Sequence, residues 1–382
     1  MERGFALADT RTSLPENDLV SVNRRGLLAL PLAHLALRSP PLRAEPLSDV
    51  KHWPGDEWDR TSPEQAGWNT DILALARAYS LSIGTASFIV VQHGRIIDSW
   101  GDISRRLQLY SVRKSFLSAL IGIAVSEGQI DLDATLGSLG IDDVPPALTE
   151  AEKQATVRHL LQSRSGVYRP ALAEMPSQIA RRPVRGSHPP GTFWYYNNWD
   201  FNVLGTIYER AVGASIFAMF EHRIGNLIGM QDYRPRDGRY IRGEVSLHPA
   251  YPFHASARDL ARFGLLYLRS GRWRDSAVVS PSWVKDSTTA SSETHLHSGY
   301  GYMWWTGFPD RRVAIMNLSP GGYWADGNYG QFIIIDPVND LVVVHQTDTS
   351  KVDERQMGHL MWLLLTAAHA RDPGRDPIGA PR

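Results

Sequence analysis

Residues 109–128 read LYSVRKSFLSALIGIAVSEG. Phe116, Leu117, Ala119, Leu120, Ile123 and Ala124 recur at helical spacing, and alanine, leucine and isoleucine line most other sides. The stretch predicts a buried helix that opens on a serine, Ser111, with a lysine, Lys114, one turn later. Residues i and i+3 share a helix face, so the amine is expected beside the hydroxyl at the edge of the core. A serine in a first turn also meets unpaired backbone N–H groups and the positive end of the helix dipole. These are the parts of an activated nucleophile.

Lysine is rare in this chain: only Lys51, Lys114, Lys153, Lys285 and Lys351 stand among 40 basic residues. Arg113 directly precedes Lys114, so charge alone does not explain the choice. An amine loses its proton when desolvated or crowded by other cations, whereas a guanidinium stays charged. A lysine acting as a base is the functional reading. The bland one is a capping serine with a lysine stem laid along apolar surface. A second Ser-x-x-Lys, Ser282 to Lys285, follows Ser280-Pro281 without a long apolar helix behind it. It reads as an ordinary capped helix start on the surface.

With 382 residues, the chain suits one large domain with an insertion, or two interlocked lobes. A hydrophobic share of 43% and 12 tryptophans supply a sizeable core. Forty basic residues balance 40 acidic ones, which argues against nucleic acid as a partner. The absence of cysteine excludes disulfides, thiol nucleophiles and cysteine metal sites. His93, His159, His188, His254 and His345 are scattered without ligand spacing, and no phosphate-binding glycine loop occurs, so no metal and no cofactor is expected.

Residues 1–44 read as an address or a tail. Arg24-Arg25, an apolar run from Gly26 to Leu37 and Leu42-Arg43-Ala44 resemble a twin-arginine export signal, although Glu2, Asp9, Glu16 and Asp18 weaken its basic region. Export predicts a periplasmic or secreted protein; a disordered tail instead leaves it cytoplasmic. No other segment is long and apolar enough to span a bilayer, so a soluble mature chain without an integral membrane segment is expected.

From residue 45 the fold begins. Asn69 to Ser82 has a capping asparagine and helical spacing. Residues 86–101 (ASFIVVQHGRIIDSWG) predict two strands around His93-Gly94, and residues 330–347 (GQFIIIDPVNDLVVVHQT) a second hairpin turning at Pro337 to Asp340. Residues 354–370 close as an amphipathic helix. The expected fold class is α/β (an α+β sandwich): one antiparallel sheet built from both chain ends and flanked by helices, with a mostly helical insertion over about 130–270.

With these residues in view, the chain resembles the serine β-lactamase and penicillin-binding-protein superfamily, whose signatures are Ser-x-x-Lys, a Tyr-x-Asn or Ser-x-Asn element and a Lys-Thr-Gly-like strand. In GTFWYYNNWDFNVLGTIYERAVG (191–213), two registers compete for the second. The following Asn202-Val203-Leu204-Gly205, similar to a family pattern, selects Tyr196 and Asn198. LLQSRSGV (160–167), SARDLARFGLLYLRSG (256–271) and GYGYMWW (299–305) resemble further family segments in order. The third signature departs: Ala325-Asp326-Gly327, then Asn328, is the best match. In β-lactamases the lysine of that triplet helps hold the substrate carboxylate. YGQFIIIDPVNDLVVV is instead similar to the strand pair of 6-aminohexanoate-oligomer hydrolases, which act on linear amides and esters.

The resemblance implies a serine hydrolase for a small-molecule ester or amide, working through an acyl-enzyme. Ser111 would attack, Lys114 and Tyr196 would share the proton work in an order the sequence leaves open, and Asn198 would orient Lys114 or the substrate. Ala325, Asp326, Gly327 and Asn328 would line the substrate, with the oxyanion between the Ser111 and Asn328 N–H groups. The aromatics Tyr110, Trp194, Tyr195, Trp199, Tyr323, Trp324 and Tyr329 could wall an acyl pocket, Tyr110 and Trp194 reading slightly more as core. The alternatives are a D-Ala-D-Ala peptidase or β-lactamase, and a non-catalytic binder of cell-wall peptide on the same scaffold.

Overall fold

The computed structural model describes residues 51–294 and 296–369; the N-terminal stretch read as an export address lies outside them. Helix α1, Thr70–Ser82, starts where the Asn69 side chain accepts the Ile72 N–H at 3.0 Å. Strands β1 (Thr85–Gln92) and β2 (Arg95–Gly101) then form the expected hairpin. Its corner holds His93 and Gly94 at φ 52° and 77°, the left-handed pair whose twist matches the strands.

The other strands of the sheet come from the far end of the chain. They are β3 (Ser292–Glu293), β4 (Gly299–Tyr300), β5 (Trp305–Thr306), β6 (Tyr323–Gly327), β7 (Gln331–Asp336) and β8 (Leu341–Thr347). The order is β2-β1-β8-β7-β6-β5-β4-β3, antiparallel throughout. As expected, the two chain ends share one sheet: Ile89 of β1 lies opposite Val344 of β8. Strands β7 and β8 are buried along their whole length, which explains why they read as continuous apolar runs rather than alternating. Between them Asp336 accepts the Asn339 N–H at 3.3 Å, and Asp340 turns the corner at φ 48°.

Five helices of twelve residues or more occur among the described residues: α1, α2 (Arg113–Ser126), α3 (Asn198–Val212), α4 (Ala257–Leu268) and α5 (Glu354–His369). Helix α4 packs on β8 and β7. The approach is close, since a Cβ on Gly264 would stand 2.5 Å from Val342 Cγ1. Helices α1 and α5 pack on each other, with α1 also on β1. Helix α4, within the stretch read as a mostly helical insertion, thus lies directly against the sheet. Among the described residues no single helix is long and apolar enough to cross a membrane.

Candidate active site

Ser111 sits just ahead of α2, in the 3₁₀ turn Tyr110–Val112. Tyr110 enters that turn at φ 47°, a left-handed conformation uncommon for a bulky side chain and of the kind that concentrates at functional sites. The Ser111 hydroxyl caps nothing: the cap position of α2 is Val112, and no side chain serves there. Instead Lys114 Nζ lies 2.7 Å from Ser111 Oγ and 2.8 Å from Tyr196 Oη. The three groups read from the sequence meet at one amine.

That amine is 2% exposed, sandwiched 4.6 Å from the Tyr196 ring and 4.7 Å from the Phe201 ring. No carboxylate is ion-paired to it among the described residues. Burial pulls its pKa well below 10.5; the Arg113 guanidinium adds to the fall, and Asp326 opposes it. Arg113 is itself buried, with its guanidinium 4.1 Å above the Tyr251 ring. Burial pushes the Tyr196 phenol up, while the Ser111 hydroxyl draws it back. Both shifts favour the uncharged form, of the amine and of the phenol alike.

Tyr196 is braced by stacking on Trp305, with ring centroids 5.7 Å apart. The chain then enters α3 through Asn197, whose side chain accepts the Trp199 N–H at 3.2 Å. Asn198 follows at 3% exposure, and its amide nitrogen donates to the Ala173 carbonyl at 3.1 Å and to Gln178 Oε1 at 3.0 Å. Its amide is thus turned to Gln178 rather than to Lys114.

The third motif lands on β6, one residue out of phase with the expectation for Ala325. Strand alternation buries Ala325 at 1% exposure, away from the site, and turns Asp326 toward it. Gly327 presses on the nucleophile turn: a Cβ there would stand 2.3 Å from the Leu109 carbonyl oxygen and 3.2 Å from the Ser111 nitrogen. Only glycine brings this strand end so near the Ser111 N–H. Asn328 comes next and lines the same space as Ser111. Burial raises the Asp326 carboxyl well above its ordinary range, Glu354 at the start of α5 raises it further, and Lys114 works against both.

The β-lactamase family model matches residues 71–366. This chain belongs to the β-lactamase family. Solved structures agree on the fold. A candidate 6-aminohexanoate-dimer hydrolase from Bacillus anthracis is 22% identical with a TM-score of 0.62, covering 85% of this chain and 90% of that one. A penicillin-binding-protein homologue from Caulobacter crescentus is 15% identical at TM-score 0.57, covering 77% and 97%. A family VIII carboxylesterase is 15% identical at TM-score 0.59, covering 78% and 98%.

In this β-lactamase-family chain, Ser111 opens into a cavity of about 400 Å³ that Tyr196, Asp326 and Asn328 also line. Its apolar wall includes Trp194 and Tyr195; Trp194 also packs against the core, its ring 5.7 Å from that of Tyr300. Trp199 and Trp324 are fully buried, and Tyr323 is 5% exposed; none of them reaches the cavity. Tyr110 and Tyr329 pack on each other at 4.9 Å. Wall residues not singled out in the sequence include Gln178, Arg181 and Glu354, which stand outside every motif, and Trp305, which closes the GYGYMWW segment. Ser282 and Lys285 are exposed on the helix Pro281–Ser287, capped by Ser280, as read.

Proposed function

We propose that this protein is a serine hydrolase that cleaves carboxyl esters or linear amides through an acyl-enzyme on Ser111. The observation that carries the reading is the buried amine 2.7 Å from a serine hydroxyl and 2.8 Å from a phenol. As Ser111 Oγ bonds to the substrate carbonyl carbon, the neutral Lys114 amine takes the hydroxyl proton. The N–H groups of Ser111 and Asn328 donate to the developing oxyanion. The intermediate collapses, the C–O or C–N bond breaks, and the leaving group takes a proton through the Tyr196 phenol, which Lys114 replenishes. Water then attacks the acyl carbon and gives its proton to the same amine; the acyl–Oγ bond breaks, Ser111 Oγ takes that proton back from Lys114, and the acid leaves.

Asp326 facing the cavity and Ala325 buried behind it leave no cation at the third motif to hold a carboxylate. Among the described residues, the cation that lines this cavity is Arg181, outside that motif. The missing lysine therefore argues against the β-lactamase way of holding a carboxylate, while neutral esters and linear amides need no such cation. The activities for which two structural relatives are named, dimer hydrolysis and carboxylester cleavage, fit the same carbonyl chemistry. Intact-protein mass after a fluorophosphonate, with p-nitrophenyl butyrate turnover alongside, tests the reading on wild type and Ser111→Ala. One adduct is expected, lost in the variant together with several orders of magnitude in turnover. Wild type that neither labels nor turns over would overturn it.

A further inference from the structure

Two tyrosines flank the oxyanion position, and both hold a backbone conformation that a bulky residue adopts only at a cost. Tyr110 directly precedes Ser111 at φ 47°, and Tyr329 directly follows Asn328 at φ 68°. The left-handed region suits glycine, and the chain does place glycine at the next position, Gly330, at φ 91°. Side chains kept in that region at both places need a compensating gain. Burial does not supply it: both tyrosines are half-buried, and neither belongs to the hydrophobic core or lines the cavity. What they have is each other. Their ring centroids stand 4.9 Å apart with the planes tilted at 46°, within the range of favourable aromatic pairs.

The two rings reach this contact from different parts of the fold. Tyr110 opens the turn into α2, pinned where the Leu109 N–H donates to the Phe253 carbonyl at 2.9 Å. Its dihedral angles aim the peptide group that carries the Ser111 N–H. Asn328, Tyr329 and Gly330 make the turn between β6 and β7, closed by the Gly330 N–H on the Gly327 carbonyl at 3.2 Å. This turn is moored to β8: the Tyr329 carbonyl accepts from the Thr347 hydroxyl, and the Gly330 carbonyl from His345 Nδ1 at 2.7 Å. Lys351 Nζ lies 5.7 Å from the Tyr329 ring centroid, a further hold on that ring. Among the described residues no backbone hydrogen bond joins the two turns. Their spacing rests on the close approach of Gly327 and on the ring pair.

We propose that Tyr110 and Tyr329 form a clamp that fixes the Ser111 and Asn328 N–H groups relative to each other. Both are positioning residues, acting through the backbone of their neighbours without touching substrate. The inference rests on the serine-hydrolase reading and adds the device that keeps its oxyanion position preformed. The ring contact does the holding, and the phenol hydroxyls take no part.

The test measures kcat and KM for p-nitrophenyl butyrate and the inhibition constant of 1-butylboronic acid, whose tetrahedral serine adduct places an oxygen at the oxyanion position. Wild type is compared with Tyr329→Gly, Tyr110→Gly, the double glycine variant and Tyr329→Phe. Glycine takes the left-handed backbone without strain, so these variants delete a ring and keep the turn. Each single glycine variant should lower kcat and weaken the boronic acid by about tenfold, with KM changed less than about twofold. Lost stability alone would leave that pattern absent from the folded enzyme. Tyr329→Phe keeps the ring pair and should hold both constants within about twofold of wild type. Because each ring acts only through the other, the double variant should lose no more than the larger single loss. Glycine variants with wild-type kcat and inhibition, a Tyr329→Phe loss as large as that of Tyr329→Gly, or single losses that multiply in the double variant each overturn the clamp and leave the hydrolase reading standing. Wild type with neither turnover nor a fluorophosphonate adduct overturns the hydrolase reading and the clamp with it.

Discussion

At the scale of single residues, the proposed site turns on an amine whose pKa burial and a neighbouring guanidinium pull well below 10.5. Lys114→Arg keeps the positive charge and most of the volume but cannot supply a base. Turnover of p-nitrophenyl butyrate should fall at least about 10³-fold in this variant, while circular dichroism shows the fold retained. The pH profile carries a matching signature. Activity in wild type should rise as pH climbs through the lowered pKa of Lys114 and level off well below 10.5; a profile still rising at pH 10.5 would contradict the assignment. Ser111, Lys114 and Tyr196 were legible because a three-residue spacing and a local aromatic motif encode them. Arg113 over Tyr251 and Gln178 under Asn198 were not, since each is a contact between segments that only the fold brings together. Trp194 and Trp199 show the limit inside one aromatic run: α3 begins between them, turning the second into the core and leaving the first beside the cavity.

Among the elements, β6 decides whether the nucleophile has a partner. Its last residue, Gly327, leaves room for no Cβ, because the nearest obstacle, 2.3 Å away, is a backbone carbonyl oxygen that cannot rotate aside. Gly327→Ala should therefore push the strand end off the Ser111 turn. A displacement of this order at the oxyanion position predicts a loss of about 10²-fold in kcat, with KM much less affected. Equal changes in kcat and KM would show that the glycine serves only to let substrate in. The hairpins on either side were legible from their turns and apolar runs, since each is a local pattern. The two-residue strands β3, β4 and β5 carry too few positions for any periodicity to register, and the strained turn at Tyr110 has no sequence mark at all.

For the molecule as a whole, His345 on β8 ties together parts made far apart in sequence. Its Nδ1 donates to the Gly330 carbonyl at 2.7 Å, and its Nε2 lies 2.8 Å from the Thr85 hydroxyl of β1. Complete burial lowers its pKa from 6.5 to about 4. The native state holds this ring neutral while the unfolded chain takes a proton below pH 6.5, so stability is full above 6.5 and drains as pH falls toward 4. At about 1.4 kcal/mol per unit, this one group removes on the order of 3 kcal/mol across that window. Urea midpoints measured from pH 7 to 4 should fall steeply in wild type and less steeply in His345→Gln. A residual slope is expected because burial lowers His159, His248 and His254 in the same direction.

Strand β8 lies between β1 and β7, and this order has a bearing on biosynthesis. The hairpin of β1 and β2 leaves the ribosome roughly 250 residues before its partner strand exists, a wait of some tens of seconds at ordinary elongation rates. During that time one edge of β1 stands open, as a docking place for holdase chaperones or for the same edge of another nascent chain. The serine and its lysine are translated early as well, yet the strand that supplies Asn328 arrives late. A translating copy therefore lacks the strand that completes the cavity beside Ser111, and the proposed hydrolysis is expected only after β6 to β8 have emerged and closed the sheet.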